Sequence, residues 1–141
     1  MADEEFPKPA LTVDVVLLAG EAPRRILLIQ RKNPPFEGEW ALPGGFVDEG
    51  ETVAVAAERE LREETGVEVK GLRLLGVYDT PGRDPRGWTV SVVYLLCVES
   101  ELDAAGADDT GDARWFGSDV LPEVAFDHKL IIEDALRATA G

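Results

Sequence analysis

The amino-acid sequence predicts an α+β protein, built as an α/β/α sandwich around a mixed β-sheet. β-Branched apolar segments are interleaved with two segments of strong helix formers, and strands and helices do not alternate regularly. The chain has 141 residues, of which 45% are hydrophobic, enough for one domain with a real core. We therefore expect a single domain over residues 1–141. Residues 1–10 should be flexible, because they contain two prolines and three acids.

Strands are expected where valine, isoleucine, leucine and aromatic residues cluster between turn-forming residues. The first two such segments, 11–18 and 26–29, flank a loop at 20–24 and so predict a hairpin. After a proline-rich loop at 33–38, a short strand at 40–46 enters a glycine-rich turn. Further strands are predicted over residues 67–78, with an interruption at 70–71, and over residues 89–98 and 114–116. The β-branched and aromatic content of the second of these three predicts a central strand of the sheet.

Two helices are predicted. Residues 51–65 are rich in strong helix formers, and Gly66 stands where a helix commonly ends in a left-handed cap. Residues 126–140 carry apolar side chains near helical spacing and predict a C-terminal helix. Polar, turn-rich segments at 81–87 and 99–112 are expected to be loops.

Composition excludes several classes of function. The 14 basic residues face 28 acidic ones, and a net charge of −14 argues against nucleic-acid binding. No apolar run is long enough to span a bilayer, so no membrane partner is expected. The acidic N-terminus is unlike a secretory signal, and a single cysteine, Cys97, cannot form an internal disulfide. A cytoplasmic location fits best, with Cys97 as a small core residue of its strand.

Three glutamates in the first predicted helix point to metal chemistry. Glu60, Glu63 and Glu64 are three and four positions apart, so they lie on one face of the helix. Like charges at this spacing destabilise a helix, and Glu64 also lies at the C-terminal end, where the helix dipole disfavours negative charge. A hard divalent cation such as Mg²⁺ or Mn²⁺ would reverse both effects. The alternative is a solvated acidic face with no ligand.

The longer pattern around these glutamates favours the metal site. It reads Gly45, five residues, Glu51, seven residues, and then Arg-Glu-Leu-Arg-Glu-Glu-Thr-Gly-Val from Arg59. This resembles, at every specified position, the signature of the Nudix hydrolase family. The resemblance implies the Nudix fold, in which this signature segment, residues 45–67 and called the box below, forms a loop–helix–loop. It also implies that Mg²⁺, with Mn²⁺ as a substitute, is held by the three glutamates and the Gly45 carbonyl.

The same resemblance gives roles to the remaining box residues. Glu51 and Arg59 would support the box structurally, Glu51 as a partner of Arg59 or as an outer ligand. Hydrolysis of a nucleoside diphosphate linked to another group would need a general base, and Glu63 or Glu64 is the first choice. In some family members the base comes from a distal loop. Acids in the 99–112 loop are therefore kept as alternatives, namely Glu101, Asp108, Asp109 and Asp112.

The loop at 81–87 carries the signal for the substrate. Its arginines, Arg83 and Arg86, suit the recognition of phosphate. Pro81 lies fifteen residues after Gly66, and a proline near that position resembles the ADP-ribose pyrophosphatase branch of the family. The alternative is a rigid turn with solvated arginines. Arg31, after the second strand, is a further candidate for substrate binding. The expected reaction converts ADP-ribose and water to AMP and ribose 5-phosphate.

Two other functions remain open. The box is also compatible with a nucleoside triphosphate pyrophosphohydrolase that cleans the nucleotide pool. A non-catalytic ADP-ribose-sensing domain is the second alternative, although the complete box and the net charge of −14 count against it. The resemblance also implies a homodimer. The single histidine, His128, excludes a histidine-based metal site within one chain and is expected to pack or hydrogen-bond near the C-terminal helix.

Overall fold

A computed structural model describes residues 6–106 and 112–140. It confirms the predicted α+β class with a mixed sheet between two helices. The elements, in chain order, are β1 (Ala10–Ala19), β2 (Arg25–Gln30), β3 (Trp40–Ala41), β4 (Gly44–Phe46), α1 (Val53–Thr65), β5 (Arg73–Tyr78), β6 (Thr89–Val98), β7 (Ala113–Gly117) and α2 (His128–Ala138). No helix within the described ranges is both long enough and apolar enough to cross a membrane.

Strand β1 organises the sheet. It pairs antiparallel with β2 and β4 and parallel with β6 along its whole length. The strand order is β3-β2-β1-β6-β5, with β4 joined through β1 and β7 through β2. Strand β6 therefore lies between β1 and β5, as its composition predicted.

Alternation along β1 divides the core into two layers, since successive side chains of a strand point to opposite faces. Val13, Val15 and Leu17 pack on the face covered by α1, where Leu61 is fully buried. Val16 and Leu18 pack on the other face, with the apolar side of α2. Asp14 belongs to this second face by the same alternation and is buried there.

Helix α1 begins at Val53, two residues later than predicted. Thr52 is its N-cap, and the Thr52 hydroxyl accepts a hydrogen bond from the Val55 N–H. Glu51 therefore lies outside the helix, in the loop that precedes it. The predicted end is confirmed: Gly66 adopts a left-handed φ of 75° and its N–H binds the Arg62 carbonyl.

Three strand predictions were wrong in extent. The predicted strand at 67–78 starts only at Arg73, because Gly71, with a φ of 87°, turns the chain. The predicted strand at 40–46 is split into β3 and β4 around Pro43, which has no N–H to donate. Strand β1 starts at Ala10, inside the segment expected to be flexible, because the Ala10 N–H binds the Trp88 carbonyl.

Two further expectations were also wrong. Helix α2 starts at His128 rather than at residue 126, because Phe126 has a φ of 55°, which a right-handed helix does not allow. Cys97 is exposed rather than in the core, since it lies near the end of β6 beside the turn after β1.

The packing of α1 gives a direct test of this layer. Leu61→Ala should lower the free energy of unfolding by about 2–5 kcal/mol, because it leaves a cavity under the helix. Val55, on the same helix, is 53% exposed, so Val55→Ala is the matched control and should change stability by less than about 0.5 kcal/mol. Urea unfolding measures both. Equal effects of the two substitutions would contradict the described packing of α1.

Candidate active site

A cavity of about 200 Å³ opens between β1, β4, the loop after β5 and the start of α2. Its wall includes two box residues, Gly45 and Glu64. The side chains of Arg86 and Phe126 also line it, and Asp14 is a buried acid in the same lining. The cavity therefore brings together Glu64 of α1 and the arginines of the 81–87 loop, although they are far apart in the sequence.

Two glycines of β4 allow helix α1 to come close to the sheet. The Gly44 N–H donates to Glu64 Oε1 at 2.7 Å. A Cβ placed on Gly44 would collide with the Val13 carbonyl oxygen, so only glycine fits there, and a Cβ on Gly45 would displace the Glu60 carboxylate. Glu60 and Glu64 thus reach the backbone of the same short strand.

Arg59 of α1 connects the helix to the loop that precedes it. Its guanidinium binds both oxygens of Glu51, at 2.7 and 2.9 Å, and donates to the Phe46 carbonyl at 3.1 Å. Its Nη1 donates to Glu60 Oε2 at 3.2 Å and to Glu63 Oε1 at 3.0 Å. This arginine therefore offsets the repulsion between the glutamates and ties the loop before α1 to the helix.

The pKa values of two glutamates differ because their surroundings differ. Hydrogen bonds from Arg59, and one from the Asp48 N–H, lower the pKa of Glu51 to about 2. Burial raises the pKa of Glu60 above its ordinary value, and the nearby Arg59 only partly opposes this. Glu60 is thus a desolvated carboxylate that a second cation would stabilise.

The chemistry of this site suits a hard divalent cation, because the predicted ligands are all oxygens. Across residues 6–106 and 112–140, however, no three acidic, histidine or cysteine side chains converge closely enough to hold a metal. Glu60 and Glu64 approach β4, whereas Glu63 extends to Arg59 and is half-exposed. The structure therefore brings Glu60 and Glu64 to β4, whereas Glu63 is bound to Arg59.

The two arginines of the 81–87 loop are bound differently. Arg83 is almost fully buried and donates to both oxygens of Asp127, at 2.9 and 2.7 Å. Arg86 binds both oxygens of Asp84 but keeps 45% of its side chain exposed. Both line the cavity, but Arg83 also fastens the loop to the start of α2. Pro81 is exposed at the beginning of the loop, outside the cavity lining.

Arg31, which follows the end of β2, lines the same cavity. Its guanidinium lies 4.9 Å from the centre of the Phe126 ring, and that of Arg86 lies 5.5 Å from the same ring. Burial and the charge of Arg86 lower the pKa of Arg31. Its Nε is held by the Pro35 carbonyl at 2.7 Å. The Asp84 carboxylate binds Arg86 and its charge raises the pKa of Arg31, so it offsets part of the repulsion between the two arginines. One net positive charge is left among these three side chains, which suits an anionic group.

One part of the site was missed by the sequence analysis. Asp14 lies at the cavity floor, where Ser91 Oγ donates to Asp14 Oδ2 at 2.5 Å. His128 stands beside it, and its Nδ1 accepts a hydrogen bond from the Leu42 N–H at 3.0 Å. This contact confirms that His128 hydrogen-bonds near the last helix. The signal for Asp14 was an ionisable residue inside an otherwise apolar strand.

Burial shifts both of these groups toward their neutral forms. It raises the pKa of Asp14 to about 7, against the lowering effects of Ser91 and Arg83. It lowers the pKa of His128 to about 3, with the charge of Asp127 opposing and those of Arg83 and Arg31 adding to the effect.

The alternative bases in the 99–112 loop are only partly described. Glu101 forms an ion pair with Arg25, which stands at the opposite end of β2 from Arg31. Asp112 forms an exposed ion pair with Arg114. The other two candidates, Asp108 and Asp109, lie outside the described residues.

Comparisons with known proteins agree with this geometry. The family model for the NUDIX domain matches residues 8–135. The chain is 50% identical to the ADP-ribose pyrophosphatase of Methanocaldococcus jannaschii over 134 residues, which is 94% of this chain and 76% of that protein. It is 32% identical to the ADPR responsive transcriptional repressor NtrR of Acinetobacter baylyi, over 93% of this chain and 54% of the repressor. The chain therefore spans about half the length of that relative.

Solved structures give the same result. The NUDIX domain of Shewanella oneidensis NrtR, complexed with ADP ribose, superposes with a TM-score of 0.87 at 36% identity, covering 97% of this chain and 94% of that one. A MutT/nudix family protein from Enterococcus faecalis also has a TM-score of 0.87, at 38% identity, over 96% of this chain and 63% of that one.

The close contact at Gly44 can be tested by adding one methyl group. Gly44→Ala should lower the free energy of unfolding by about 1–3 kcal/mol, because the new Cβ collides with the Val13 carbonyl oxygen of the neighbouring strand, which cannot move aside as a side chain can. Gly76→Ala is the matched control, since Gly76 also lies in a strand but its Cβ would meet only ordinary contacts. Urea unfolding should show no loss of stability in the control. A neutral Gly44→Ala would contradict the described contact between β4 and β1.

The buried pair Asp14 and His128 predicts pH slopes of opposite sign in two variants. Between pH 3.8 and about 7 the folded chain holds a proton on Asp14 that the unfolded chain has lost. Between pH 6.5 and about 3 the unfolded chain instead holds one on His128. The two effects nearly cancel in the wild type, with one proton in each state.

Removing either group should expose the other. In Asp14→Asn the unfolding free energy should fall as the pH is lowered from 6.5 to 4. In His128→Asn it should fall as the pH is raised from 4 to 7, in each case by up to about 1.4 kcal/mol per pH unit. Urea unfolding in EDTA, relative to the wild type at each pH, measures both slopes. Slopes of the same sign would show that the described protonation of the pair is wrong.

Proposed function

Because this chain belongs to the Nudix hydrolase family, we propose that it hydrolyses ADP-ribose to AMP and ribose 5-phosphate with the help of Mg²⁺. One observation carries the proposal. A single cavity is lined both by the box residues Gly45 and Glu64 and by the cations Arg31 and Arg86. A substrate with a diphosphate between two sugars needs a metal cation that carboxylates hold, and it needs positively charged side chains that bind its phosphates. The 50% identity to an ADP-ribose pyrophosphatase supports this choice of substrate.

The proposed metal ligands are the Gly45 carbonyl and the carboxylates of Glu60, Glu63 and Glu64. Glu60 and Glu64 already approach β4, and Glu63 would exchange its contact with Arg59 for the metal. Bound Mg²⁺, or Mn²⁺ in its place, supplies positive charge to the diphosphate and acidifies water. Glu51 and Arg59 hold the loop and the helix in register while the glutamates act.

The reaction requires a water oxygen to form a bond to one phosphorus while the bond from that phosphorus to the bridging oxygen breaks. A carboxylate must accept the proton of the water. We assign this role to Glu64, whose side chain lines the cavity, with Glu63 as the alternative. Arg86 and Arg31 would bind the anionic part of the substrate. Arg83 would add positive charge to the wall while bound to Asp127, and Pro81 would shape the loop.

The remaining expectations concern the setting of the reaction. We propose that the substrate is a small nucleotide rather than a nucleic acid, consistent with the net charge of −14. A cytoplasmic location and a homodimeric state remain predictions. The mass of the purified protein in solution tests the homodimer.

The function is tested by hydrolysis of a panel of compounds with Mg²⁺: ADP-ribose, NADH, diadenosine polyphosphates, dGTP, oxidised dGTP and a nucleotide sugar. Wild type should prefer ADP-ribose and release AMP. Glu64→Gln should lower kcat by at least about 100-fold, because it removes both a ligand and the proposed base. Glu58→Gln is the matched control on the same helix, since Glu58 contacts Lys70 rather than β4, and should keep its activity.

Each other outcome has a distinct meaning. A preference for triphosphates would retain the hydrolase but reject the substrate. Tight binding of ADP-ribose without hydrolysis of any compound would favour the sensing domain.

A further inference from the structure

Asp14 is a buried carboxylate that the proposed chemistry does not use. Its side chain is only 10% exposed and lines the same cavity as Glu64. Its position on an interior strand places it between Ser91 on β6 and His128 on α2. Burying a carboxylate is costly unless the protein satisfies both of its oxygens with hydrogen bonds. An oxygen left without a good protein partner is available to a ligand.

The partners of Asp14 are unevenly shared between its two oxygens. Oδ2 accepts a short hydrogen bond from Ser91. Oδ1 has His128 Nε2 at 3.5 Å, beyond normal hydrogen-bond length. The Leu42 N–H occupies His128 Nδ1, so the ring is held by the backbone and cannot approach Asp14 by rotating without losing that bond. One acceptor oxygen is therefore poorly satisfied by the protein at the cavity floor.

We propose that Asp14 binds a sugar hydroxyl of the substrate through Oδ1 and so makes the cavity specific for that hydroxyl. The proposal rests on the proposed function, because it concerns the same cavity. The hydroxyl would supply the hydrogen bond that Oδ1 lacks. The interior strand β1 would hold the carboxylate in place, and Ser91 would occupy only Oδ2.

The position of Asp14 favours a sugar hydroxyl over a base amino group. Asp14 pairs with Gly44 across the β1–β4 ladder, and Gly44 is bonded to Glu64. Asp14 thus lies beside β4, whose Gly45 carbonyl is a proposed ligand of the metal that binds the diphosphate. In a nucleotide sugar the riboses are attached directly to the diphosphate, whereas the base is one sugar further away. The donor nearest to Asp14 is therefore a ribose hydroxyl.

The test compares ADP-ribose with analogues that each lack one ribose hydroxyl. Wild type should hydrolyse one analogue with a kcat/KM at least about 10-fold lower than that of ADP-ribose, because the hydrogen bond between that hydroxyl and Oδ1 is lost in a site built to make it. Asp14→Ala should accept that analogue and ADP-ribose equally, within about 2-fold. Its KM for ADP-ribose should rise while kcat changes little, since the hydroxyl is not a reacting group.

Ser91→Ala is the matched control, because it removes the partner of Oδ2 and leaves Oδ1 in the cavity. It should still discriminate against the analogue. The proposal is overturned if Asp14→Ala keeps the wild-type discrimination, if wild type rejects no analogue, or if Ser91→Ala loses as much discrimination as Asp14→Ala. If Asp14→Ala does not fold, Asp14→Asn replaces it. Asp14→Asn should show several-fold weaker discrimination, because the amide has a single acceptor oxygen and Ser91 competes for it.

Failure of the proposed function would be seen separately, as an absence of ADP-ribose hydrolysis by the wild type. The same comparison would then use the compound of the panel that is hydrolysed fastest, with its own deoxy forms. If no compound is hydrolysed, calorimetric binding of ADP-ribose and its deoxy analogues gives the same comparison.

Discussion

The close contact between α1 and the two glycines of β4 is the constraint on which the site depends. Gly44 and Gly45 have no side chain, so the carboxylates of Glu60 and Glu64 reach the backbone of the strand. Desolvating these carboxylates is unfavourable, and the Gly44 N–H and the Arg59 guanidinium offset part of that cost. Because β4 is joined to the sheet through β1, the same contact also sets one wall of the cavity.

Local patterns predicted much of the fold, and the errors have local causes. The spacing of the box predicted helix α1 and its end at Gly66, because helical periodicity and a glycine cap are readable over a few residues. The start was misplaced because Glu51 is a good helix former, whereas the cap is made by Thr52. The late start of α2 follows from the backbone angle at Phe126, which composition does not reveal, whereas the turn at Gly71 before β5 falls within the predicted interruption.

The site was predictable only where its residues are close together in the sequence. The box identified Arg59 as a support, and the structure gives it Glu51 as its strongest partner. Arg83 and Arg86 were equivalent in the sequence. They differ because Asp127, from a distant segment, pairs with Arg83 and buries it, whereas Arg86 pairs with Asp84 of its own loop and stays half-exposed. Asp14 was missed because its partners come from β6 and α2.

The wide separation of these partners affects how the protein is made. Ser91 follows Asp14 by 77 positions, and His128 follows Leu42 by 86. During synthesis the glutamate-bearing helix emerges long before the strand and helix that close the cavity. Until then the face of β1 and β2 that packs against α2 is uncovered, a state that is prone to aggregation. The cavity is therefore complete only after the C-terminal helix has been made.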